Sequence, residues 1–329
     1  MFIRAVIQWI LAGLCLPMSM ALALPLEVTA LSEEEATATT NASGPLEWRA
    51  GFILSSKDPR FGGISSIQIT ADGKSLWAIG DRGTWMRFSL EHSRGILRNV
   101  SLEHIGLLSM LANEQRKDFT VDAESSDFLD HKTLLVGFER INRLLAYKFT
   151  NHGIAGFPKL YKGPPGLKTA PRLGGPESLA KLCDGRLFIL TEKGEFEGGA
   201  RIGWLGTEKR WTAFGYRPRK GYHPTGVTVL PDCRLMLTER RFRFAHYSWR
   251  IALLNPANLR PDSVITGRRV ALFQHPAVTD NFEAIAARRG SNGETLVYVM
   301  SDDNFSIFQQ TYLLQFALKA SDQNPLTRQ

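Results

Sequence analysis

Five segments of this 329-residue chain repeat one plan. Each has a small or acidic start, a short apolar strand, a tight turn, a second apolar strand and a closing acid. They are GGISSIQITADGKSLWAIGDRG at 62–83, VDAESSDFLDHKTLLVGFER at 121–140, GGPESLAKLCDGRLFILTEKG at 174–194, HPTGVTVLPDCRLMLTERRF at 223–242 and DNFEAIAARRGSNGETLVYVMSDDNF at 280–305. Their starts recur every 48 to 60 residues or so, the size of a four-stranded propeller blade. Asp72-Gly73, Asp184-Gly185 and Asn292-Gly293 suit tight hairpins, because Gly accepts positive φ without steric penalty. Third and fourth strand candidates follow each of the first four hairpins, as in TWMRFSL with NVSLEHIGLL and LLAYKF with FPKLYK. The pattern predicts an all-β β-propeller with five blades. A sixth requires a degenerate blade within 242–280, and the rival is an open sandwich with coincidental turns.

The chain ends argue for closure. After the fifth hairpin only TYLLQFAL at 311–318 reads as a strand, and WRAGFILSS at 48–56 has no partner of its own. Pairing Trp48–Leu54 with Tyr312–Phe316 joins the N- and C-terminal strands and removes an open sheet edge. The propeller domain is therefore placed at 46–320, with 321–329 as a disordered tail. Helical periodicity is weak throughout, and the best helix candidate runs from Leu107 to Gln115.

The N-terminus is a separate matter. A short basic start, an apolar run and Ala21-Leu22-Ala23 read as a signal peptide over 1–23, too short for a membrane span. The expectation is export to the periplasm or medium, with no transmembrane segment in the mature form. Residues 24–45 are acidic and rich in Thr and Ala, and read as a flexible tether. Beyond the signal segment only Cys183 and Cys233 remain, in the similar turns LCDGRL and LPDCRL. Either they form a disulfide between neighbouring turns or they stay as half-buried thiols.

The acids fall where a blade's first strand starts and its second strand ends. Those two points meet at the same mouth of a propeller. Glu124 with Glu139 and Glu177 with Glu192 share one spacing, and Ser65 with Asp81, Thr225 with Glu239 and Glu283 with Asp302 take the equivalent places. Crowded carboxylates need compensation by protons, cations or a metal. Arg82, Arg140, Lys193 and Arg240 each follow a second-strand acid, and strand alternation turns them away from it. Ca²⁺ with oxygen ligands is the remaining compensator. Propellers also use strand-end acids to tie blades together, a structural role open to each of these residues. His223 in GYHPTG is placed at the same mouth as a candidate acid or base.

The motifs GGIS…DRG, DAES…ER, GGPESLA…TEKG, HPTG…TERRF and DNFEAI…SDDNF resemble the phytase-like family, "esterase-like activity of phytase", over roughly 48–318. The resemblance implies phosphoester or ester hydrolysis by acids at Asp81, Glu124, Glu139, Glu177, Glu192, Glu239, Glu283 and Asp302. Of these, Glu177, Glu192 and Glu239 are taken as catalytic, joined by His223 from its own placement at the mouth. Asp81, Glu124, Glu139, Glu283 and Asp302 hold the metal, and Arg240 and Arg241 grip an anionic small-molecule substrate. The alternative is a non-catalytic propeller that binds a ligand or protein partner at the same mouth. No G-x-S-x-G elbow, phosphate-binding loop or HExxH pair occurs. The net charge of +8 favours anionic partners, but the basic residues are too scattered for a nucleic-acid face.

Overall fold

The computed structural model describes residues 25–150 and 153–318. The expected signal peptide at 1–23 and the expected tail at 321–329 lie outside the described residues. The chain begins with strand β1 (Glu27–Ala30), helix α1 (Glu33–Ala42) and strand β2 (Leu46–Ser55). Blade 1 follows as β3 (Ile64–Ile69), β4 (Ser75–Gly80), β5 (Thr84–Ser93) and β6 (Ile96–Leu107). Blade 2 is β7 (Ala123–Asp130), β8 (Thr133–Phe138), β9 (Arg143–Thr150) and β10 (Gly153–Tyr161). Blade 3 is β11 (Ser178–Lys181), β12 (Leu187–Glu195), β13 (Arg201–Thr207) and β14 (Arg210–Tyr216). Blade 4 opens with β15 (His223–Val229), β16 (Leu235–Arg243) and β17 (His246–Leu254). The short β18 (Val264–Ile265) crosses back to pair in parallel with β14, and β19 (Arg268–Phe273) completes blade 4. Blade 5 is β20 (Asn281–Arg289), β21 (Thr295–Asp302) and β22 (Thr311–Leu318), extended by β2 and then β1.

This is a five-bladed propeller, and the long 242–280 region holds no sixth blade. The ring closes as the terminal strands predict: Trp48 stands opposite Phe316, and Ile53 opposite Tyr312. Five buried apolar clusters fill the five interfaces between blades. Alternation explains the nearly continuous apolar runs. On β8, Leu134, Val136 and Phe138 face blade 1, while Leu135 between them faces blade 3.

Two expectations about elements fail. Of the tether expected at 24–45, the described residues 25–45 are ordered. Ser32 and Glu35 form a reciprocal capping box that starts α1, and β1 pairs with β2. The helix then docks: Thr39 is buried and its hydroxyl accepts a hydrogen bond from the Val278 N–H at 3.1 Å. The second failure is the helix over 107–115. Strand β6 runs through Leu107, and Leu108 and Met110 then sink into the cluster between blades 1 and 2. Among the described residues no helix is long and apolar enough to cross a membrane.

Cys183 and Cys233 are joined as a disulfide, with Cα atoms 5.7 Å apart. The bridge links the β11–β12 turn to the β15–β16 turn, at the end of the propeller away from the acid-bearing strand ends.

Candidate functional site

The first strands β3, β7, β11, β15 and β20 pack side by side around the axis. In four of them the ladder to the second strand contains one extra residue: Ser65, Glu124, Thr225 and Glu283. In blade 3 the ladder begins at Ser178 opposite Leu190, which leaves Glu177 in the corresponding place. A bulge bends its strand and re-aims the extra side chain. Ser65, Glu177 and Glu283 consequently line one narrow cavity of about 10 Å³ between the first strands. Gly226 allows this closeness between blades 4 and 5, since a Cβ there would lie 2.0 Å from the Glu283 carbonyl oxygen.

The bulges also set the frame on the second strands. Gly80, Phe138, Glu239 and Ser301 occupy equivalent ladder positions, opposite Ile64, Ala123, Pro224 and Phe282. The mouth-facing position is the next one, held by Asp81, Glu139, Glu192 and Asp302. In blade 4 that residue is Arg240. The pairing of Thr225 with Glu239 is therefore wrong by one residue. Alternation turns Glu239 into the boundary between blades 3 and 4, where it is 0% exposed. There it meets the Arg250 guanidinium at 3.1 Å and accepts a hydrogen bond from the Tyr216 hydroxyl. Glu239 is a tie between blades and leaves the candidate catalytic set.

Arg240 is corrected in the same way. It turns into the mouth, 3.1 Å from Glu283 and 3.3 Å from Glu192, so it is an internal counter-ion of the acids. Arg241 lies outside the ring, its guanidinium 5.0 Å from the Tyr222 ring. Glu192 is also paired with Lys193 at 2.8 Å. His223 stands across the ladder from Arg240; burial pulls its ring below the ordinary histidine pKa, against the influence of Glu192.

Burial dominates the remaining acids. It pushes Glu124, Glu177 and Asp302 well above the usual carboxylate range, helped by neighbouring acids. The same cause raises Glu283 to about 7, with Arg240 opposing, and Asp81 to about 6, with Asp122 assisting. Glu139 is raised by burial as well, although it accepts hydrogen bonds from the Gly174 N–H at 2.6 Å and the Gly175 N–H at 3.2 Å.

Among the described residues, Asp122, Glu124 and Glu139 form an acidic group whose ligand oxygens all lie within 4.8 Å of one another. Of the expected metal set, the structure thus brings Glu124 and Glu139 together, with Asp81 nearby and Glu283 and Asp302 across the ring on blade 5. Asp122 was missed. It lies two residues before Glu124 in VDAES, a signal present in the motif itself. Beyond the ring, Arg140 pairs with Asp122.

The sequence matches the phytase-like family, described as esterase-like activity of phytase, over residues 59–305. The chain belongs to this family. No curated protein sequence matches it. Two solved structures are similar to it at low identity. The PQQ-bound aldose sugar dehydrogenase of Streptomyces coelicolor is 11% identical, with 90% of this chain and 99% of that chain covered and a TM-score of 0.45. XC5397 of Xanthomonas campestris, described as a gluconolactonase, is 9% identical over 89% of this chain and 98% of that chain, with a TM-score of 0.46. This phytase-like chain thus carries an acid at the mouth-facing position of four blades and Arg240 at that position in blade 4.

Proposed function

We propose that the protein is a hydrolase of phosphoesters or related esters, acting on an anionic small-molecule substrate at the acidic mouth with a bound Ca²⁺. The observation that carries this reading is the triad of Asp122, Glu124 and Glu139, three buried carboxylates with converging oxygens. An all-oxygen donor set is the chemistry a hard divalent cation takes. These three residues would hold the ion, with Asp81, Glu283 and Asp302 further round the ring. When bound, it supplies positive charge that polarises a phosphoryl or carbonyl oxygen toward attack by water.

The protein's own residues handle protons and position. Glu177 is buried among other acids, and burial with the nearby Glu192 and Glu283 raises its pKa and favours its protonated form, which makes it the candidate acid. Glu192 is ion-paired with Lys193 and Arg240 and is the candidate base, with His223 beside it. The expected localisation is outside the cytoplasm, as the N-terminal segment reads. A non-catalytic ligand-binding propeller is the second reading, favoured by Arg240, which already neutralises part of the ring.

The test is turnover of 4-nitrophenyl phosphate and 4-nitrophenyl acetate, with calcium and with chelator, beside calorimetry of calcium binding. Glu124→Gln with Glu139→Gln should abolish calcium binding and turnover while the metal-free variant stays folded. Calcium binding absent near about 1 mM, with no turnover of either ester, makes the ligand-binding propeller the better account.

A further inference from the structure

The cleft between blades 1 and 2 adjoins the triad, and Asp122 belongs to both. It encloses about 690 Å³, and four cations line it: Arg82, Arg116, Lys117 and Arg140. Among the described residues, Arg140 is ion-paired with Asp122, whereas Arg82, Arg116 and Lys117 have no carboxylate partner at ion-pair distance. Their positions are set by neutral groups. The Arg116 guanidinium donates to the carbonyls of Leu108 at 2.8 Å, Gly83 at 3.3 Å and Arg82. The Arg82 guanidinium lies over the Phe305 ring, 3.4 Å from its centroid. The Lys117 ammonium lies 5.8 Å from the centroid of the Phe119 ring. Carbonyls and rings orient a cation without cancelling its charge.

We infer that this cleft is the phosphoryl-binding subsite of the protein, taking the dianionic head of a phosphomonoester and presenting it to the carboxylate triad across Asp122. The inference rests on the hydrolase reading for the role of the triad, and places substrate recognition on blades 1 and 2. Arg241 on blade 4 has no part in it. Oriented guanidiniums grip phosphoryl oxygens in a charge-assisted fork, and Lys117 adds a point charge. Asp81, Asp118 and Asp122 share the cleft, so a bare carboxylate ligand gains less than a dianion.

The experiment is calorimetric titration of phenylphosphonate, a non-hydrolysable phosphomonoester mimic, into the mature chain with and without calcium. Arg82→Ala with Lys117→Ala should raise the phenylphosphonate Kd at least about tenfold while calcium affinity holds. Both side chains are exposed, so the melting temperature serves as the folding control, with Arg82→Gln and Lys117→Gln as the milder pair. Wild-type affinity in the double variant, or loss of binding in Arg241→Ala instead, overturns the subsite. Calcium binding without phenylphosphonate binding in the wild type overturns the subsite and leaves the metal reading standing. Phenylphosphonate binding that needs Arg82 and Lys117, in a protein that binds no calcium, supports the subsite and removes the metal.

Discussion

At the scale of single residues, Arg240 carries the most consequence. It occupies the position where other blades present an acid, and it bridges the buried carboxylates of Glu192 and Glu283 while remaining partly exposed itself. Burial works against its charge, while Glu283, Glu192 and Glu177 favour it. Removing one partner of such a network leaves uncompensated buried charge, which destabilises by about 3–5 kcal/mol. Arg240→Met should therefore lower the melting temperature markedly in chelator. Added calcium should recover part of the loss, because an external cation can replace the missing one. Thermal unfolding with and without calcium checks this, and a variant that melts like the wild type in chelator refutes the counter-ion role. Glu239, one residue earlier, faces the other way and has a different partner. Adjacent residues on a strand have opposite destinations.

At the scale of elements, the recurrent device is a hairpin with one extra residue at the mouth and a tight turn at the far end. The bulge brings a polar side chain to the axis, and the turn is where the disulfide sits. Cys183–Cys233 spans 50 residues and ties consecutive blades at the end remote from the acids. Cross-linking a loop of that length contributes roughly 4 kcal/mol, mainly by restricting the unfolded chain. Cys183→Ala with Cys233→Ala should lose about that much in denaturant unfolding, with calcium affinity unchanged. A free-thiol assay that finds both cysteines reduced in the wild type would remove the bridge and this expectation with it.

At the scale of the whole molecule, a ring of buried acids makes the fold depend on pH in an unusual sense. Asp81 is raised to about 6 and Glu283 to about 7, and Glu124, Glu177 and Asp302 also lie above the normal range. Such groups bind protons more tightly when folded than when unfolded. Their favourable contribution is complete at low pH and is lost as pH rises through the folded values. From these groups alone, the metal-free protein should gain stability between about pH 8 and pH 6. Calcium binds the deprotonated acids, so its stabilising effect should run the other way and weaken over the same window. Melting temperature followed across that range, in chelator and in calcium, should give slopes of opposite sign. A flat profile in chelator would show that the acids are not protonated on folding.

Much of this was legible before any coordinates. Five hairpins at blade spacing determined the fold class, and the unpaired strands near Trp48 and Tyr312 determined how the ring closes. The acids at 124, 139, 177, 192 and 283 were readable as mouth residues because hairpin register follows from strand length and turn type. The capping box at Ser32 and Glu35 was readable too, but an acidic, Thr-rich composition hid it, and docking of α1 depends on a distant segment near Val278. Only the tertiary structure decided which residue of Glu239-Arg240 enters the mouth. Period-two alternation holds within an unbroken ladder, and the bulge at Thr225 shifts the count by one. The basic cleft was likewise beyond reach of the sequence: Arg82, Arg116, Lys117 and Arg140 belong to turns and loops whose convergence is set by the packing of one blade against the next.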